Sequence, residues 1–215
     1  MYQPAHFRED RLEVQHALIR AHPLGTLITL GADGLVANAI PFLLDPDRGE
    51  FGVLQGHLAR ANGQWRDFDP AVEALAIFQG PQSYVSPAWY ATKRETGKVV
   101  PTWNYAVVQA RGPLRVIEDP DWLATQVAAL TDRNEMGTAQ PWSVSDAPPS
   151  FIESQLKGIV GLEIPITRIE GKWKVSQNRP HDDRRGVAEG LRSSTSPGDR
   201  AMGALVAERD PSGRR

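Results

Sequence analysis

The sequence predicts an α+β fold in which antiparallel strands form a barrel-like centre and helices flank both ends. Three observations carry this. Short β-rich runs follow one another across tight turns such as "GADG" and "DPDRGE", which suit hairpins. Amphipathic helical runs lie near the start of the chain and again beyond residue 118. Successive strands are joined by turns rather than crossover helices, which disfavours a parallel βαβ sheet.

Element by element, Asp10 is placed to cap a helix over residues 10–21 with Leu12, Leu18 and Ile19 on its apolar face. His22-Pro23 ends it, because a residue before proline is pushed out of the helical region. Three strand-like runs follow: "GTLITL", "LVANAIPFLL" and "FGVLQG". A short helix is expected over 59–68, and "VEALAIF" returns to strand. The glycine-, proline- and aromatic-rich stretch from Ser83 to Tyr105 reads as a functional loop feeding a strand from about Thr102 to Glu118. "DPDWLATQVAALTDRNE" is a helix capped by Asp119 with Trp122, Val127 and Leu130 among its apolar positions. "PPSFIESQLKG" is a second helix, closing on Gly158. "IVGLEIPITRIEGKWKVSQN" alternates like a hairpin turning at Glu170-Gly171, and two short helices split by "SSTSPGD" end the chain. Six or seven strands are therefore expected.

Composition narrows the function. The 215 residues are 40% hydrophobic and 23% charged, enough for one domain with a large core and at most a small appendage. There is no cysteine, which removes disulfides, thiolate zinc sites and cysteine nucleophiles. The opening "MYQPAHFRED" lacks a signal-peptide pattern, and "LVANAIPFLL" is too short to span a bilayer. The expectation is a soluble cytoplasmic protein without a membrane partner. Net charge is −2 and the pI is near 6.2. From Arg179 onward arginines alternate with Asp182, Asp183, Glu189, Asp199, Glu208 and Asp210, the pattern of a solvated helical face. Direct DNA binding is accordingly disfavoured.

Four segments could bind or react. In "GHLARAN", a strand ending in a small-residue turn before a helix would aim backbone N–H groups at an anion, with Arg60 and His57 as further donors. Equally, Arg60 could make a surface ion pair and His57 could cap the strand end. "VPTWNY" offers Trp103 and Tyr105 on one face of a strand and Thr102 and Asn104 on the other. That would suit a flat heteroaromatic ligand, or simply an aromatic core strand. "YVSPAWY" has the composition of a lid, an interface loop or a self-packed loop. "GKWKVSQN" puts Lys172 and Lys174 opposite Trp173 and Val175 and ends in Ser176, Gln177 and Asn178, which is also an ordinary polar turn. The five histidines have no metal-ligand spacing, and neither a GxSxG elbow nor a P-loop is present. Asp182-Asp183 reads as an exposed pair capping a helix begun near Pro180. Reactive chemistry would have to come from a cofactor.

Taken in order, "MYQPAHF", "GHLARANGQW", "SYVSPAWY", "VPTWNYAVVQARG" and "GIVGLEIPITRIEGKWKVSQN" resemble PaiB-type proteins, the FMN-binding negative transcriptional regulators. The resemblance runs from Met1 to about Leu191, implying one domain over 1–191 and a helical or flexible tail over 192–215. It implies an FMN-binding split β-barrel, and a homodimer with FMN at the subunit interface. By the same resemblance Arg60 grips the flavin phosphate, with His57, Leu58, Ala59 and Asn62 around it. Asn38, Ala39, Ile40 and Pro41 would run beside the isoalloxazine ring. Thr102, Trp103, Asn104, Lys174, Gln177 and Asn178 would complete the pocket, one group coming from the partner subunit. Two roles follow: a flavin-dependent regulator, with DNA or a regulatory protein as partner, or a small flavin oxidoreductase using NAD(P)H. Haem, which split-barrel relatives also bind, would need an axial ligand such as His57 or His181.

Overall fold

The computed structural model describes residues 1–209; Asp210 of the interleaved acidic set lies outside the described residues. In chain order the elements begin with β1 (Arg8–Glu9), α1 (Leu12–Ala21), β2 (Leu24–Gly31), β3 (Gly34–Pro41), β4 (Leu43–Asp45) and β5 (Val53–Ala59). Next come β6 (Ala74–Val85), α2 (Ala91–Thr96), β7 (Thr102–Gly112), β8 (Arg115–Ile117), α3 (Pro120–Glu135) and α4 (Pro149–Leu156). The chain closes with β9 (Ile159–Pro165), β10 (Arg168–Lys174), α5 (His181–Arg192) and α6 (Pro197–Glu208). Two compact units result. One holds Met1–Gln15, Gln79–Val108 and the chain from Glu170 on; the other holds His16–Phe78 and Gln109–Ile169. The long strands β6 and β7 contribute residues to both.

In the second unit, β2 lies between β3 and β6, and a separate sheet runs β4-β5-β9-β8. The β2–β3 hairpin pairs Leu24 with Pro41 and Gly31 with Gly34. Along β5 and β9, Leu54, Leu58, Val160, Leu162 and Ile164 share one buried face, as period-two alternation requires. Gly56 falls on that face because Ile40, Phe42 and the Pro41 carbonyl leave a Cβ only 3.2 Å. Phe42 meets Phe78 edge-to-face at 5.7 Å. Burying side chains of this size contributes roughly 1.5–3 kcal/mol each. On the other face of the same sheet, α3 lays Trp122 over Gly161, where a Cβ would come within 2.4 Å of the indole.

In the first unit, β1 pairs with β10, Arg8 opposite Lys172. Here α5 carries a glycine notch: Gly186 and Gly190 admit Trp89, whose backbone and ring would stand 2.0 and 2.5 Å from added Cβ atoms. Asp183 of α5 fixes the start of α2 by accepting from the Thr92 N–H and hydroxyl, both at 2.9 Å. Helix α6 buries Met202 and Val206.

Several sequence expectations are corrected. Helix α1 starts at Leu12, and Asp10 accepts from Arg8 Nε instead of capping it. "LVANAIPFLL" is two strands, because the chain leaves β2 after the Phe42 N–H bonds the Pro23 carbonyl and Leu43–Asp45 pair with β5 in the other sheet. Only a three-residue 3-10 turn, Gly63–Trp65, forms where a helix over 59–68 was expected. The aromatic stretch is mostly regular: β6 runs through Val85, a 3-10 turn spans Pro87–Trp89, and α2 follows. Pro113 divides the expected 102–118 strand into β7 and β8. The final hairpin turns at Ile166-Thr167, whose N–H groups donate to Gly52 and Arg111 carbonyls, leaving Gly171 mid-strand against β1. Asp183 is not exposed but 2% accessible. Ten strands, rather than six or seven, occur among the described residues.

The first unit closes on a buried carboxylate. Glu9 is 3% exposed and accepts from Arg11 Nε at 2.8 Å, from Arg11 Nη2 at 2.7 Å, and from Arg209 just beyond α6. Burial pushes its pKa up, but the hydrogen bonds from the Arg11 side chain and backbone, with those from Arg209, override it and hold it at about 2. A pKa depressed in the folded state adds stability above the ordinary carboxylate range, lost as pH falls through about 2. Glu9→Gln should therefore lower the melting temperature at pH 7 and flatten the acid limb between about pH 4.5 and 2. Thermal melts across that range check this, and identical acid limbs in the two proteins would contradict it.

Candidate functional site

The expected residues fall into two groups, one in each unit. In the second unit, His57, Leu58 and Ala59 end strand β5 rather than forming a turn. The chain then reverses, with the Asn62 N–H donating to the Ala59 carbonyl at 2.8 Å and Asn62 Oδ1 accepting from the Gln64 N–H at 3.0 Å. No α-helix opens here, so the helix-terminus contribution to an anion site expected from the sequence is absent. What remains is Arg60. Its Nε donates to the Lys157 carbonyl at 3.1 Å and its Nη2 to the Ile159 carbonyl at 3.2 Å, while Nη1 meets Glu118 Oε2 at 2.5 Å. Two backbone carbonyls thus set the guanidinium plane, and a surface carboxylate occupies its outer edge. The guanidinium side chain is 34% exposed and that of Glu118 is 56% exposed.

His57 faces α3, where its Nδ1 lies 2.7 Å from Gln126 Oε1. Gln126 is 3% exposed, and its Nε2 is buried with no partner. Leu58 is core, at 6% exposure, and lies opposite Val160 in the β5–β9 ladder, whereas Ala59 is exposed.

Strand β3 ends its sheet, so one set of its backbone N–H and C=O groups has no strand partner. Ala37 and Ala39 are exposed, Asn38 and Pro41 half-buried, and Ile40 is core. A flat ring with alternating donors and acceptors along one edge suits such a strand: small side chains permit close approach and the free backbone reads the edge.

A residue the sequence reading missed organises this group. Gln64 is 3% exposed, and its Nε2 lies among three acceptors: the Leu27 carbonyl at 3.3 Å, Thr29 Oγ1 at 3.1 Å and the Val36 carbonyl at 3.2 Å. Its Oε1 is thereby turned to accept from Asn38 Nδ2 at 2.9 Å, leaving Asn38 Oδ1 as the acceptor available to a ligand. The sequence signal was slight: a glutamine two residues after Asn62, inside an asparagine turn. Glu118, immediately before the Asp119 cap of α3, and Gln126 were missed as well.

In the first unit, Thr102, Trp103, Asn104 and Lys174 come together. Lys174 Nζ donates to Thr102 Oγ1 and to the Trp103 carbonyl, both at 2.5 Å. Asn104, 1% exposed, donates to Ser176 Oγ at 3.0 Å, and Ser176 holds a left-handed φ of 66°. Trp103 is exposed, donates to Gln82 Oε1 at 2.5 Å, and meets Tyr84 edge-on at 6.1 Å. Gln177 is spent on the end of β10, bonding the Trp173 carbonyl and the Val175 N–H, while Asn178 is exposed. Burial pushes the Lys174 pKa down, and the neighbouring charges of Lys172 and Arg179 push it further. No carboxylate pairs with Lys174 among the described residues, so an anion bound there would relieve that repulsion. Nor do the described residues contain a His/Asp/Glu cluster able to hold a metal ion.

The fold is the FMN-binding split β-barrel. A conserved hypothetical protein of Mycobacterium tuberculosis superposes with a TM-score of 0.57 at 14% identity, over 84% of this chain and 95% of that one. The FAD and heme binding protein of Mycobacterium smegmatis gives 0.56 at 19% identity, over 78% and 73%. Residues 1–168 match the family described as "Putative FMN-binding domain". The chain is 31% identical to protease synthase and sporulation protein PAI 2 of Bacillus subtilis, over 97% of this chain and 98% of that protein. It is 36% identical to an uncharacterized protein of Emericella nidulans, over 97% of both. The chain belongs to the FMN-binding domain family, of the PaiB type, and FMN is its cofactor. The residues present fit that cofactor: an oriented guanidinium, an open strand edge with small side chains, and an amide whose free atom is an acceptor. Among the described residues no helix is long and apolar enough to cross a membrane.

Gln64→Leu keeps the volume but takes a partner from Thr29 Oγ1 and from the Asn38 amide, while the Leu27 and Val36 carbonyls keep their β2–β3 ladder bonds. It should cost on the order of 2 kcal/mol in urea unfolding, against less than half of that for Asn38→Ala. A loss under about 0.5 kcal/mol for Gln64→Leu would show that the amide does not organise the group.

Proposed function

We infer that this protein is a flavin-dependent negative regulator of transcription, in which FMN reports redox or metabolic state. Carrying the binding part of this reading is Arg60, whose guanidinium two backbone carbonyls aim while its outer edge meets only a side chain. A charge-assisted contact from that edge would anchor the phosphate. His57 lies at the end of β5 and Asn62 in the turn after it, and the β3 edge from Asn38 to Pro41 would take the isoalloxazine ring, with Asn38 Oδ1 accepting from a ring N–H. Bound flavin supplies hydride acceptance and single-electron transfer; the chain's residues bind it, orient it and shield one of its edges. The regulatory part draws support from the full-length likeness to the Bacillus sporulation protein.

We also propose a homodimer, in which a partner copy would supply the group around Thr102, Trp103, Asn104 and Lys174, with Gln177 and Asn178 beside it. Exposed Tyr84, Val100 and Trp103 favour such a contact, being large apolar residues in that unit. A second reading, a cytoplasmic NAD(P)H-dependent flavin oxidoreductase, is favoured by the net charge of −2, which suits DNA poorly.

Arg60→Ala should weaken FMN binding about tenfold or more, measured by flavin fluorescence quenching, and bring FMN affinity close to that of riboflavin. Unchanged FMN affinity would remove Arg60 from the site. Promoter binding at moderate salt that changes with flavin reduction supports the regulator. FMN-dependent NADH or NADPH oxidation without promoter binding overturns it in favour of the oxidoreductase.

A further inference from the structure

Arg60 is not idle. Three of its donors have acceptors, but those acceptors differ in kind. The Lys157 and Ile159 carbonyls belong to the start of β9 and the turn before it, and cannot leave without breaking that backbone. Glu118 can. Its side chain is 56% exposed, lies between β8 and the Asp119 cap of α3, and its carboxylate makes no other ion pair among the described residues. Phosphate and carboxylate oxygens compete for the same guanidinium edge with the same charge-assisted geometry. Glu118 therefore holds the place that an incoming phosphate needs.

A cavity of about 310 Å³ adjoins the pair, lined by Pro120, Leu123 and Leu156 together with Glu153 and Lys157. Its walls are mostly apolar and offer a displaced carboxylate little, with one exception. Lys157 is exposed and its ammonium has no ion-pair partner among the described residues, so Glu118 has a second cation on the same cavity to turn to.

We propose that Glu118 is a built-in counter-anion that competes with the flavin phosphate for Arg60 and so sets the affinity for FMN. This rests on the reading of Arg60 as the phosphate anchor. Phosphate binding then exchanges one ion pair for another, with Glu118 passing to Lys157 or to water. The gain from binding is reduced by what the internal pair was worth. An exposed pair is worth about 1 kcal/mol at most, or roughly fivefold in affinity.

The test uses the full chain stripped of flavin and titrated with FMN and with riboflavin, which lacks the phosphate. Glu118→Gln keeps the shape and removes the charge. It should tighten FMN about two- to fivefold and raise the FMN-to-riboflavin affinity ratio by the same factor. In the Arg60→Ala background the same substitution should change that ratio little. If Arg60→Ala lowers the ratio while Glu118→Gln also lowers it or leaves it unchanged, Glu118 orients Arg60 rather than competing, and the proposal is overturned. If Arg60→Ala leaves the ratio unchanged, the phosphate reading itself fails and the proposal falls with it. Circular dichroism of each variant separates these outcomes from misfolding.

Discussion

One buried amide constrains most of what the second unit can do. Gln64 Nε2 sits among three acceptors from β2 and β3, and an amide nitrogen so placed cannot exchange ends with its oxygen. Its oxygen must therefore face Asn38, and Asn38 must present its own oxygen outward. The backbone N–H of Gln64 is meanwhile capped by Asn62, which fixes the turn leaving Arg60. A single side chain thus connects the hairpin edge, the turn and the polarity of the Asn38 amide. Low local dielectric makes such a network strong when satisfied and costly when broken.

Charge is handled differently in the two units. Around Arg60 each guanidinium nitrogen meets an oxygen of the protein, so its charge is already paired. Around Lys174, positive charge from Lys172 and Arg179 accumulates without a carboxylate among the described residues, and the ammonium rests on a hydroxyl and a carbonyl. The first arrangement favours exchange of one anion for another; the second favours uptake of an anion. Both suit a phosphate-bearing cofactor, but by opposite electrostatic routes.

How much of this was legible in the sequence follows from the range of each interaction. Strand runs with period-two alternation were readable, since the pleat alone dictates them, and so were α3 with its Asp119 cap and the two closing helices. Turn positions failed where tertiary partners decided them. Gly171 looks like a hairpin tip but is a strand glycine pressed by Glu9, and the tip moved to Thr167, which Arg111 and Glu73 hold. The aromatic segment looked irregular because the glycine notch of α5 that receives Trp89 lies about a hundred residues further on. Family motifs made Arg60 visible as a candidate for binding the flavin phosphate. Its actual neighbours, Glu118 and two carbonyls nearly a hundred residues away, had no sequence signal. The ion pair that residue type alone also allowed is present, and it changes what binding there must involve.

The most direct test of the account is a crystal structure of the full chain saturated with FMN. The account predicts the phosphate within hydrogen-bond distance of the Arg60 guanidinium, Glu118 turned away from it, and the ring edge along β3 at Asn38. A flavin bound elsewhere, with the Arg60–Glu118 pair and the β3 edge undisturbed, would contradict it.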